Sequence, residues 1–121
     1  MKVALTVWEN RISPLFDAAC MLLIADVKKG RISEKRFEAI KCESPYLKIG
    51  ILNDVGANIL VCGGISDFYA NIIEARGIKL IPFTSGDVND VLDAYIKGNI
   101  YQKKYRMPGC EITNGDENEV T

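Results

Sequence analysis

The segment Asn58–Cys62 constrains this chain most. It reads as a continuously apolar strand that runs into Gly63-Gly64 and then into a capped helix. A strand without polar alternation must be covered on both faces, and that calls for helices above and below a sheet. The pattern then repeats. Ser66 caps a helix through Arg76, with Asp67, Asn71 and Glu74 as its polar stripe and Gly77 as its stop. A short strand, Lys79–Phe83, leads to a helix over Asp87–Lys97, where Val88, Val91, Leu92, Tyr95 and Ile96 recur at helical spacing before Gly98. Upstream, Ser44-Pro45 starts a helix that Gly56 ends. Helix-bearing crossovers imply parallel strands.

The first third is built differently. Lys2–Trp8 suits a buried strand, and Glu9–Pro14 breaks it with a polar turn. Cys20–Val27 is a second apolar run, joined through Lys28-Lys29-Gly30 to a charged edge strand over Arg31–Ile40. Strands joined this tightly pair antiparallel. The expected class is therefore α/β, a mixed sheet with helices on both faces. A chain of 121 residues, 48% hydrophobic and 26% charged, supports one core without disulfide staples. We expect a single domain over residues 1–110 and a mobile acidic tail over 111–121.

Composition removes several chemistries. There is no histidine, which excludes Ser-His-Asp triads, Cys-His pairs and His-ligated zinc. The net charge of −1 argues against a nucleic-acid partner. The series Tyr95, Tyr101 and Tyr105 with Lys103-Lys104 is accordingly expected to be a partly solvated face. No apolar run reaches membrane-spanning length and no signal-peptide pattern follows Met1, so the reading is cytoplasmic, without a membrane. Cys20, Cys42, Cys62 and Cys110 form no CxxC pair and are expected as free thiols in a reducing compartment.

Ligands of open α/β sheets settle beyond the carboxyl ends of the parallel strands. Three loops qualify: Glu9–Asp17, Cys62–Ser66 and Phe83–Asp87. Cys62-Gly63-Gly64-Ile65-Ser66 brings backbone N–H groups to a helix start that favours an anion. Thr84 and Ser85 add two hydroxyls beside another helix start. The blander reading is that Gly63-Gly64 is a tight strand-to-helix turn and Cys62 a packed thiol. Neither GxGxxG nor a P-loop is present.

These loops, with Met1-Lys2-Val3-Ala4, Ile12-Ser13-Pro14-Leu15-Phe16-Asp17-Ala18, Gly56–Ile65, Gly77-Ile78-Lys79-Leu80 and Val91-Leu92-Asp93-Ala94-Tyr95, resemble the dinitrogenase iron–molybdenum cofactor biosynthesis family. The resemblance implies a three-layer, five-stranded mixed sheet of ribonuclease-H-like motif, order 3-2-1-4-5 with strand 2 antiparallel. It further implies a non-enzymatic carrier of an anionic metal–sulfur cluster, an iron–sulfur or molybdenum–iron–sulfur species, with a cluster donor or acceptor protein as partner. By position the cofactor-binding candidates are Ser13, Pro14, Phe16, Cys62, Gly63, Gly64 and Ile65, joined by Thr84 and Ser85 from the third loop, with Cys62 as the metal ligand. Leu15 and Asp17 stand where relatives often carry histidine and glycine. The alternative is a binding or regulatory module that takes a small anion or a protein partner in the same pocket. A nuclease is not expected: Lys2–Trp8 and Asn58–Cys62 contain no acid to hold its metals.

Overall fold

The computed structural model describes residues 1–40 and 44–108. Its central strand, β1 (Lys2–Trp8), pairs antiparallel with β3 (Met21–Lys28) and parallel with β5 (Ile59–Val61). β4 (Arg31–Ala39) continues the sheet beyond β3, and β6 (Lys79–Ile81) continues it beyond β5. The order β4-β3-β1-β5-β6 is the expected 3-2-1-4-5 once a sixth, two-residue strand is set aside. That strand, β2 (Arg11–Ile12), folds back on the end of β1 and corrects the expected count of five. The polar turn before it is a two-residue hairpin: Glu9 and Asn10 have φ of +49° and +67°, the left-handed pair that a tight hairpin of this twist requires. Lys29 and Gly30 close β3–β4 in the same way, at +54° and +74°.

Strand alternation in β1 divides the core in two. Val3, Leu5 and Val7 face α3 (Val88–Lys97) with Leu23, Val61, Val91 and Leu92. Ala4 faces the opposite layer, built by α1 (Pro45–Asp54) and α2 (Asp67–Ala75), with Phe16, Leu60, Cys62 and Ile73. Each fully buried Leu of these clusters contributes on the order of 2 kcal/mol by removal from water. Helices therefore cover both faces, as expected.

Several boundaries shift for local reasons. β6 stops at Ile81, not Phe83, because Phe83 has φ +58° and cannot continue an extended strand. Ser44 stands at the α1 N-cap but makes no side-chain cap hydrogen bond, whereas the Tyr69 N–H donates to Ser66 Oγ at 3.4 Å as predicted for α2. Tyr95 and Tyr105 are partly buried against the α3-side core while Tyr101 stays 52% exposed, the partly solvated face expected. Cys62 is a free thiol, but Cys20 is disulfide-bonded, against expectation. Cys42, Cys110 and the tail over 111–121 lie outside the described residues. Among the described residues no helix is long and apolar enough to cross a membrane.

Candidate functional site

The loops after β1, β5 and β6 meet at one end of the sheet and are laced together by main-chain hydrogen bonds. The Gly64 N–H donates to Pro14 O at 2.8 Å, and the Phe16 N–H donates to Gly64 O at 2.7 Å. The third loop joins through the Phe83 N–H to Gly63 O at 2.8 Å and the Thr84 N–H to Cys62 O at 2.9 Å. The first and third loops meet through the Ile12 N–H to Gly86 O and the Val88 N–H to Asn10 O, both 2.9 Å. Glycine is needed at 63 for space: a Cβ there would lie 2.6 Å from Pro14 O and 2.8 Å from Pro14 C, and closer still to Ser13 O. The glycine admits the first loop. It does not leave an open approach for a ligand.

The start of α2 is already filled by a carboxylate. Asp17 Oδ1 accepts the Ser66 N–H at 3.2 Å, where an external anion would otherwise be favoured. Asp67 lies in the same first turn. At the start of α3, Asp87 Oδ1 accepts the Asn89 and Asp90 N–H groups at 2.9 and 3.1 Å. The N-termini of α2 and α3 are thus served by the chain's own acids.

Beneath the first loop lies Lys48 of α1, whose side chain is fully buried. Its Nζ donates to Phe16 O and Asp17 O, each at 2.9 Å. It sits 5.1 Å from the Phe16 ring centroid and 5.7 Å from that of Tyr69, where ring quadrupoles partly replace lost hydration. Burial pushes its pKa below the usual lysine value, and the neighbouring Asp17 charge opposes that shift. Phe16 is itself a core plug, edge-on to Tyr69 at 5.0 Å.

Cys62 is fully buried in the α1/α2-side core. Burial, reinforced by the Asp17 charge, pushes its thiol up to about 12. A metal ligand must be an accessible thiolate, and Cys62 as placed is neither accessible nor ionised. Among the described residues no group of three Cys, Asp or Glu side chains is arranged to hold a metal ion. An anionic cluster seated on Gly63-Gly64 would meet a covered backbone, a protonated thiol and an acidic rim. These residues do not fit it.

The open space lies to one side, around Trp8. Two adjoining depressions, of about 310 and about 270 Å³, share Trp8, Ser13 and Ala18. Val7, Ala19 and Met21 line the first; Pro14 and Leu15 line the second. Trp8 is 57% exposed and Leu15 47%.

Of the nine residues expected at the site, Ser13 and Pro14 line this space. Phe16, Cys62 and Ile65 belong to the α1/α2-side packing, and Gly63 and Gly64 are spent on the first loop. Thr84 and Ser85 turn their hydroxyls to their own chain, donating to Pro82 O at 3.4 Å and Arg106 O at 3.1 Å. The sequence reading placed Asp17 in the first loop but not on the Ser66 N–H, and it missed Trp8 and Lys48 as site-forming groups. For Lys48 a signal existed: it stands four residues before Leu52 on the buried side of α1.

Known proteins bear on this geometry. The chain is similar to the protein of the crystal structure of PH0822, at 21% identity and a TM-score of 0.76, over 81% of this chain and 90% of that one. It is also similar to a provisionally assigned dinitrogenase from Methanocaldococcus jannaschii, at 21% identity and TM-score 0.67, over 82% and 90%. A provisionally assigned NifB protein from Thermotoga follows at 22% and 0.61, over 81% and 89%. At these identities the structures establish a shared fold. No curated protein sequence matches the chain. The profile of the family described as "Dinitrogenase iron-molybdenum cofactor" matches residues 1–98, and the chain belongs to that family.

Proposed function

We propose that this chain is a non-enzymatic binding module of the iron–molybdenum cofactor family that engages a cluster donor or acceptor protein through the Trp8 basin. In this reading it does not seat a metal–sulfur cluster on its own Gly63-Gly64 turn. The observation that carries the proposal is the Asp17 carboxylate on the Ser66 N–H. It places negative charge where a polyanionic cluster would have to rest, while the apolar surface of Trp8, Leu15 and Met21 stays exposed. Such a surface suits the apolar side chain of a protein partner better than an inorganic anion.

Family membership favours a second reading, in which the chain carries an iron–sulfur or molybdenum–iron–sulfur cluster as cargo. One experiment separates them. The purified protein is incubated anaerobically with an iron–sulfur or molybdenum–sulfur cluster source and desalted, and metal and sulfide per chain are measured. We expect no retained metal, together with a shift of Trp8 fluorescence when purified cluster-scaffold proteins are titrated in. Near-stoichiometric metal with sulfur-to-metal charge-transfer bands would overturn the proposal in favour of the carrier.

A further inference from the structure

We propose that β4 is a dimerisation edge, pairing antiparallel with β4 of a second copy of this chain about a two-fold axis at Phe37. β4 ends the strand order, so one of its edges has no neighbour among the described residues. Eight of its nine residues are exposed and Glu38 is half-buried. Phe37 is 57% exposed on this strand. An edge this long, with an aromatic side chain standing in solvent, is a template for another strand.

Its charges select the partner. Two identical antiparallel strands related by a two-fold axis must be centred on a residue, because each hydrogen-bonded pair has to map onto another of the same kind. Centring on Glu34 or Lys35 places that residue against its own like charge. Centring on Arg36 sets Arg36 against itself and Glu34 against Glu38. Centring on Phe37 produces none of these conflicts. Phe37 then meets the other copy's Phe37, each Arg36 faces the other copy's Glu38, and Lys35 faces Ala39. Within one chain Arg36 Nε already lies 3.5 Å from Glu38 Oε1, so both groups sit on one face, ready to exchange partners across the axis. Phe37 is opposite Leu23, on the α3 side, while Arg36 is opposite Ile24, on the other. The aromatic contact and the ion pairs therefore stabilise opposite faces of the joint. Lys35 is held away from the axis by its Nζ, which donates to Asn89 Oδ1 of α3 at 3.0 Å.

The test is sedimentation equilibrium of the full chain across micromolar to millimolar concentrations. The wild type is expected to dimerise reversibly and Phe37→Glu to be monomeric, with unchanged circular dichroism because the side chain is exposed. Arg36→Glu replaces two attractive cross-strand pairs with two repulsive ones, and we expect it to raise the dimer dissociation constant about tenfold or more. Combining Arg36→Glu with Glu38→Arg restores complementarity and is expected to restore the dimer. A chain that stays monomeric throughout overturns the proposal. So does a dimer that survives Phe37→Glu, or one rescued by Glu34→Arg in place of Glu38→Arg, which would mark a Lys35-centred register.

Discussion

Replacing Gly63 by alanine tests the lacing of the loops most directly. The added Cβ would stand 2.6 Å from Pro14 O and 2.8 Å from Pro14 C, and these are backbone atoms that cannot rotate aside. The first loop must move, and its movement strains or breaks the Gly64 N–H to Pro14 O and Phe16 N–H to Gly64 O bonds, now 2.8 and 2.7 Å. Two such bonds are worth about 1 kcal/mol each net, and overpacking a tight site adds about 1–3 kcal/mol. The expected loss is about 3–5 kcal/mol, a large part of a domain's usual stability, with a fall in Tm of roughly 10–20 °C for a chain of this size. Gly64→Ala is the internal control. Its Cβ would lie 3.3 Å from Pro14 O and 3.6 Å from Leu15 Cδ1, so we expect a loss below about 1 kcal/mol. Urea denaturation followed by circular dichroism and by Trp8 fluorescence measures both. A Gly63→Ala protein within about 0.5 kcal/mol of wild type, or a Gly64→Ala protein that loses more than Gly63→Ala, would refute the reasoning.

Three further outcomes follow from the buried groups. Lys48→Met leaves the Asp17 carbonyl without its ammonium donor and should cost about 1–3 kcal/mol in urea denaturation. Because the folded Lys48 pKa is lowered, the unfolded chain binds more protons just below pH 10.5; the native lysine thus adds stability as pH rises in that window, and Lys48→Met should lose that rise. Cys62 should resist alkylation in the native state at pH 8 and react at the rate of unfolding. Since its thiol is raised from 9.0 to about 12, its contribution to stability is present below pH 9 and lost as pH climbs towards 12. Asp17→Asn removes the smaller cause of that shift, so the ultraviolet absorbance of the native Cys62 thiolate should rise at lower pH than in the wild type while staying above the ordinary thiol range; an unchanged titration would show that the Asp17 charge does not reach the sulfur.

Much of the fold was legible because its signals are local. The Lys29-Gly30 turn, the Ser66 cap, the spacing of Val88, Val91 and Leu92, and the glycines that end helices each act within a few residues. β2 escaped because two residues carry no period. The candidate site was legible only as a place. Its loops were found, but not the direction of each side chain. Cys62 points inward because the β1–β5 register continues past Leu5 and Val61, setting it beside Thr6 on the α1/α2 face, and sequence does not fix that register. Asp17 reaches Ser66 across 49 residues, and Lys48 reaches Phe16 across 32. Polar contacts over such separations have no periodic trace.

The lacing at the end of the sheet has a consequence for how such a protein can change over generations. The three loops are tied through peptide groups and the buried Lys48 ammonium, so Pro14, Leu15 and Phe83, whose side chains are exposed, are largely free of structural duty. Substitutions there can alter what the surface recognises at little cost in stability, whereas Gly63 and Lys48 are held fixed by the frame. New specificity can thus be tried on an inherited scaffold one outward side chain at a time.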